Sequence, residues 1–240
     1  DMARTLWSMD EQNNKENSID DRMMLILLDE MNLARVEYYF SDFLSRLESR
    51  PSKQNIENHT ERKDSELELE IPNSKDGTHR IFPGYNLLFA GTMNEDESTQ
   101  SLSDKVVDRA NILRFAAPEK IFGTAPTDTP MQAMALSRKT WDKWKKSQLT
   151  AGNERRVEQQ ITKMVQFMKS FNRPFGHRLG RAIKSYVVNY PIIEGDDSIN
   201  FALADQLEMR LLPKLRGVDT EENNSNFGEL IQFVKDELKI

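Results

Sequence analysis

The chain has 240 residues, enough for one large domain or two modest ones, and its 38% hydrophobic and 30% charged residues describe a core under a very polar surface. A formal net charge of -6 speaks against nucleic-acid binding over the whole surface, although it leaves room for a local basic patch. Cys is absent and the three His (His59, His79, His177) are scattered, which excludes disulfides, thiolate metal sites, a Cys nucleophile and a His-spaced metal motif.

The opening "DMARTLWSMDEQNN" lacks the basic start and apolar centre of a secretory signal, and residues 1–9 can form one or two helical turns. After a polar loop, "MMLILL" (Met23 to Leu28) is a continuous apolar run bounded by charge, the pattern of a strand buried on both faces. No run approaches the roughly 20 residues that span a bilayer, so the expectation is a soluble, cytoplasmic protein without a membrane segment. Val36, Phe40, Phe43, Leu44 and Leu47 then recur at helical steps. Residues 49–65 are strongly polar and predict a mobile surface segment. "ELELEI", "PNSKDG" and "THRIF" read as strand, turn and returning strand, a β-hairpin. "YNLLFAGTMN" gives a second buried strand, Leu87 to Ala90, and "SLSDKVVDRANILRF" a short helix and a brief apolar segment. "APEKIFGTAPTDTP" is a linker, and nearly everything beyond it has helical spacing: "MQAMALSRKTWDKWKKSQ", "ERRVEQQITKMVQFMKSF" with Val157, Ile161, Met164, Val165 and Met168 on one stripe, "HRLGRAIKSYVVNY" stopped by Pro191, "SINFALADQLEMRLLPKLRG" and "NFGELIQFVKDELKI". The chain therefore divides into an α/β piece, 1–117, and an all-helical piece, 118–240.

Functional groups of open α/β sheets gather beyond the carboxyl ends of the strands. One predicted strand ends in Asp29-Glu30 and the other in Thr92-Met93-Asn94. Read singly, the first is a strand running into a solvated turn and the second a turn or cap. Read together, an aspartate can hold Mg²⁺, a glutamate beside it can orient or deprotonate a water, and an amide can position that water at a γ-phosphate.

"LILLDEMNLARVEYYFSDFLSRLE" resembles the Walker B strand and following helix of AAA+ ATPases, most of all the McrB-like branch of methylcytosine-restriction motors. "LLFAGTMNEDESTQSLSDKVVDRANILRF" resembles that branch's sensor-1 strand and arginine-finger segment, "FGHRLGRAIKSYV" is similar to the lid helix that carries sensor 2, and "LEMRLLPKLRG" to a later lid segment. The resemblance spans residues 23–48, 85–115 and 174–217. It implies part of a P-loop NTPase αβα sheet followed by a helical lid. It makes Asp29 the Mg²⁺ aspartate, Glu30 the catalytic glutamate, Asn94 sensor 1, Arg109 the arginine finger acting on a neighbouring subunit, and Arg178 the sensor-2 contact to the γ-phosphate. Arg114, between Leu113 and Phe115, is a second finger candidate whose setting suggests a strand edge. Asn32 and Arg35 link the acidic pair to the subunit interface in this reading, and the hairpin faces a central pore.

The pattern G-x-x-x-x-G-K-[ST], which cradles phosphate, does not occur in the chain; the resemblance places it before residue 1. Without those N–H donors and that Lys, this chain alone is expected to bind nucleotide poorly and hydrolyse it little. The leading reading is a portion of an AAA+ motor using ATP, with GTP second. It implies Mg²⁺ and a ring, hexameric by the resemblance, that remodels or translocates DNA or protein in a restriction or defence setting with a nuclease or other partner. A non-catalytic scaffold of AAA+ shape is the alternative. A third reading, a helix that binds nucleic acid, rests on "SRKTWDKWKKS" with its two Trp.

Overall fold

The computed structural model describes residues 2–10, 18–51, 59–70, 78–94, 102–116, 134–146, 148–192 and 197–239. The turn predicted at 72–77, the residues just after Asn94 and the 117–130 linker lie outside them. Contacts divide the chain into two compact units, Asp1–Val106 with Thr124–Lys143 and Val107–Gly123 with Trp144–Ile240, each with its own apolar cluster.

In the first unit α1 (Met2–Met9) precedes β1 (Met24–Leu28), a 3-10 turn (Met31–Leu33) and α2 (Val36–Glu48). Then come α3 (His59–Lys63), β2 (Leu67–Glu70), β3 (Thr78–Ile81) and β4 (Leu87–Gly91). α4 (Asp104–Val107) and α5 (Arg138–Trp144) follow, each with its last residue counted in the second unit. β1 and β4 pair in parallel, from Met24 opposite Leu87 to Leu28 opposite Gly91. Parallel strands need a crossover, and the intervening chain supplies it with α2 and the hairpin. α2 packs through Phe40 and Phe43, whose rings stack at 5.2 Å, and Phe43 meets the edge of Phe89 on β4 at 4.7 Å. The predicted hairpin forms between β2 and β3. Leu67 and Ile81, directly opposite, are buried, while the facing Glu68 and Arg80 pair at 2.7 Å in solvent. That is the inward and outward alternation the sequence shows.

Three expectations fail here. β1 is buried on one face only: Ile26 joins the core with Leu6, Met9, Ile81 and Leu87, but Leu25 and Leu27 are 60% and 59% exposed. A parallel strand hides both faces only when layers flank it, and among the described residues nothing covers that side. The polar segment before the hairpin is not wholly a mobile surface loop, because α3 forms within it and buries Arg62 and Ser65. Arg62 donates to both carboxylate oxygens of Asp10, at 2.9 and 3.1 Å, and lies 4.5 Å from the centre of the Phe82 ring. Asp10 also accepts the Phe82 N–H at 2.9 Å. The Lys/Trp helix is shorter than its spacing suggests. Residues 134–136 form no regular element, Ser137 bridges Arg22, and Met23 donates to the Leu136 carbonyl at 2.8 Å, so helix begins only at Arg138.

The second unit is built from α6 (Ala151–Ser170), α7 (His177–Asn189), α8 (Ser198–Gln206) and α9 (Asn224–Phe233). α6 turns Val157, Met164 and Met168 inward, with Ile161 partly buried beside them, and α7 meets them with Leu179, Ile183 and Val187. α7 ends at Asn189, and Tyr190 is extended (φ -63, ψ 140), as a residue before proline must be. Asp197 caps α8 by accepting from the Ile199 and Asn200 N–H groups at 3.2 and 3.3 Å. The predicted helix to Gly217 does not stay regular. After Gln206 it widens into a π turn (Leu207–Leu211) and tightens into a 3-10 turn (Leu212–Leu215), because Pro213 lacks the N–H that an α-helix would give to the Met209 carbonyl. Among the described residues no helix is long and apolar enough to cross a membrane.

Candidate functional site

Because β1 and β4 run parallel and in register, their carboxyl ends coincide, and the chain beyond each is tied to the other. The Thr92 N–H donates to the Leu28 carbonyl and the Met31 N–H to the Thr92 carbonyl, both at 2.9 Å. The Thr92 hydroxyl accepts the Glu30 N–H at 2.9 Å and donates to the Asp29 carboxylate. Glu30 takes a left-handed backbone conformation (φ 48, ψ 44), uncommon for a residue with a side chain. That turn reverses the chain into Met31–Leu33. There Asn32, 3% exposed, donates to the Asn94 carbonyl at 2.8 Å, and the Tyr39 hydroxyl donates to the Met31 carbonyl at 2.6 Å. The Asn32 Oδ1 is buried with no hydrogen-bond partner. Met31 crosses the end of β4 at Gly91, where a Cβ would lie 2.1 Å from its Sδ, so a residue without a side chain suits that approach.

The structure thus brings Asp29, Glu30 and Asn94 to adjacent strand ends, all three exposed. It also gives Thr92 a role that sequence reasoning did not assign, and gives Asn32, read there as a link to the subunit interface, a contact inside the chain. Thr92 holds the acidic pair, and buried Asn32 holds the backbone of Asn94. A hydroxyl residue directly after a buried parallel strand was the available signal for Thr92. An exposed carboxylate beside a hydroxyl is a hard-oxygen donor set that suits Mg²⁺, an ion that takes one or two carboxylates and completes its shell with phosphate and water oxygens. Among the described residues no group of three His, Asp or Glu side chains forms a self-sufficient metal cage.

Arg109 and Arg178 belong to the second unit. Arg109 is half-buried just past α4, and Arg178 is exposed in the first turn of α7. A cation near a helix N-terminus is disfavoured by the helix dipole, and Asp108 offsets this: its carboxylate lies 3.8 Å from the Arg178 guanidinium and accepts from Lys214. Arg210 donates to the Asp108 carbonyl at 3.3 Å and to Asn111 Oδ1 at 2.7 Å. Burial pushes the Arg210 guanidinium below its ordinary pKa, Asp108 opposes that shift, and Arg178 adds to it. Arg114 lies in irregular, exposed chain between exposed Leu113 and Phe115, not in a strand. Arg35 is exposed and its guanidinium donates to the Tyr38 hydroxyl at 3.3 Å.

Residues 132–239 match the family described as Domain of unknown function (DUF8727), a stretch shorter than half of the chain that takes in α5 and all of the helices beyond it. No curated protein and no solved structure matches the chain.

Proposed function

We propose that this chain is part of an AAA+ nucleoside-triphosphatase motor that hydrolyses ATP, with GTP the less favoured base, within a ring of like subunits in the cytoplasm. The work of that ring is done on DNA or on a protein partner, a nuclease among the candidates. The observation that carries the reading is the Thr92 bridge: one hydroxyl at the end of β4 holds both the Asp29 carboxylate and the Glu30 backbone at the end of β1. It supports the reading because the ends of parallel strands are where open α/β folds handle phosphates.

In this reading Asp29 is the ligand for Mg²⁺, which when bound neutralises charge on the β- and γ-phosphate oxygens. Glu30 orients the attacking water and draws off its proton, and Asn94 fixes that water's direction. Arg109 and Arg178 supply guanidinium charge to phosphate oxygens, Arg109 toward a neighbouring subunit. The test is ATP binding and steady-state turnover by the protein as the cell makes it. Glu30→Gln keeps the size of the side chain and removes the base. It should leave ATP affinity within about twofold and lower turnover by roughly 10²- to 10⁴-fold, the range for a positioned general base. Turnover near the wild-type rate removes Glu30 from the chemistry and the motor reading with it.

A further inference from the structure

From Gln159 to Ile193 the chain has no Asp or Glu, although its formal net charge is -6. That stretch carries Lys163, Lys169, Arg173, Arg178, Arg181 and Lys184. Some of these cations are matched by acids on other segments. Lys163 pairs with Glu237, Lys184 with Glu154 and Glu158, and Arg178 lies 3.8 Å from Asp108. Lys169, Arg173 and Arg181 are exposed, and their side chains make no hydrogen bond or ion pair among the described residues. They gather where α6 passes into α7, and exposed His177 lies one turn before Arg181 on the same helix face. α9 packs here through Phe227, 4.8 Å from Phe171, and through Asn226, which donates to the Ser170 carbonyl at 3.4 Å. The acids just before α9 do not neutralise the corner. Asp219 accepts from the Glu221 and Glu222 N–H groups, and none of the three pairs with a cation among the described residues.

The backbone of this corner is fixed. Asn172 takes a left-handed conformation (φ 56), and the Asn172 and Arg173 N–H groups donate to the Lys169 and Met168 carbonyls at 3.0 and 2.8 Å, a paired closure of the helix end. Lys169 and Arg173 are thus presented from ordered chain, which lowers the cost of binding. The rings here turn inward: Phe171 is buried and Phe175 packs on the apolar cluster. Single strands are held by stacking on exposed rings, so a corner that offers charge without a ring suits the backbone of a duplex. We propose that the α6–α7 corner is a docking surface for double-stranded DNA, with Lys169, Arg173 and Arg181 against its phosphates and no reading of base sequence. Unpaired cations release the counterions of closely spaced phosphates, which gives these side chains a use that a neutral face would not serve. This names DNA as the material on which the proposed motor works; it rests on that reading for the work and not for the binding.

The test is fluorescence anisotropy of a labelled DNA duplex of mixed sequence, titrated with the protein as the cell makes it, without nucleotide, over a range of KCl. Binding should be measurable at about 50 mM salt, and log K should fall with log salt at a slope of about -2 to -3, as for three phosphate contacts. Lys169→Gln/Arg173→Gln/Arg181→Gln should weaken binding about tenfold or more and bring the slope close to zero, with the urea midpoint unchanged. Arg181→Gln alone should reduce the slope by about 1, and it carries the test if the triple variant fails to fold. Arg155→Gln/Lys235→Gln/Lys239→Gln removes the same charge from exposed residues elsewhere in the helical unit and should leave affinity within about twofold. No binding at low salt, wild-type affinity in the corner variant, or equal loss in the two triple variants overturns the proposal. So does a single strand, or an RNA duplex of the same length, that binds more tightly than the DNA duplex. None of these outcomes touches the motor reading, which has its own test. Normal turnover in Glu30→Gln would remove the motor and leave the DNA surface standing.

Discussion

Removing the Asp10 carboxylate should destabilise the first unit more than any other single change on its surface or at its strand ends. Arg62 and Asp10 have 1% and 3% of their side chains exposed and meet at 2.9 Å. The Arg62 Nε and Nη1 are buried without hydrogen-bond partners, so Asp10 is the anion that compensates this guanidinium. It also takes the Phe82 N–H. Asp10→Ala leaves a buried cation uncompensated and orphans a buried backbone donor. Breaking a buried pair on one side costs about 3–5 kcal/mol, a large share of the 5–15 kcal/mol that ordinarily separates a folded domain from its unfolded chain. At urea slopes of about 1–3 kcal/mol/M, the midpoint for this unit should fall by at least about 1 M. Urea titration followed by hydrogen exchange of the α1 and β3 amides separates its unfolding from that of the helical unit. Asp10→Ala combined with Arg62→Met should recover most of the loss, because well-packed apolar replacement of a buried pair is often neutral or stabilising. A single variant within about 1 kcal/mol of wild type, or a double variant as unstable as the single, would refute the account of this pair.

Three further outcomes are expected. Leu203→Ala, at a fully buried position of α8, should destabilise the helical unit by about 2–5 kcal/mol in denaturant titration while sparing the first unit. Thr92→Val keeps the shape of the side chain but removes both hydrogen bonds of its hydroxyl. It should cost about 1 kcal/mol of stability and, if the proposed activity holds, reduce ATP turnover more than nucleotide affinity. Hydrogen bonds from Lys163 and Gln160 hold the Glu237 carboxyl below its ordinary value of 4.5. A depressed folded-state pKa stabilises above the unfolded value and the benefit is lost as pH falls through the depressed one, so melting of the helical unit should soften below pH 4.5 and Glu237→Gln should flatten that part of the profile.

The helical unit was legible because its signal is periodic and local. Val157, Met164 and Met168 on α6 and Leu179, Ile183 and Val187 on α7 advertise a buried stripe without knowledge of a partner. The strand ends were legible for a related reason, since an apolar run that stops abruptly at polar residues marks both the strand and its carboxyl end. What escaped depends on distance in sequence. Arg62 sits in a run that reads as solvated surface, and its burial is set by Asp10, 52 positions earlier. The exposure of Leu25 and Leu27 reflects which layers flank β1, a property of neighbours and not of the strand. Pro213 announced a break, but a π turn followed by a 3-10 turn, and the use of the Met209 carbonyl by Ile112, required knowing that another segment passes there. Thr92 escaped because a threonine after a strand is ordinary, and only the parallel register places its hydroxyl between the Asp29 carboxylate and the Glu30 N–H.

If Glu30 is the base of the proposed reaction, its left-handed backbone sets chemistry against durability. A left-handed residue with a Cβ carries a penalty of roughly 1–2 kcal/mol that glycine does not, so the position is one where a campaign to raise melting temperature would favour deleting the acid. Glutamine inherits the same twist, which makes it the matched control, whereas glycine or alanine would change conformational energy and chemistry at once. On the proposed reading, improvement of this protein for robustness should therefore hold residue 30 fixed, or it will select molecules that last longer and do less.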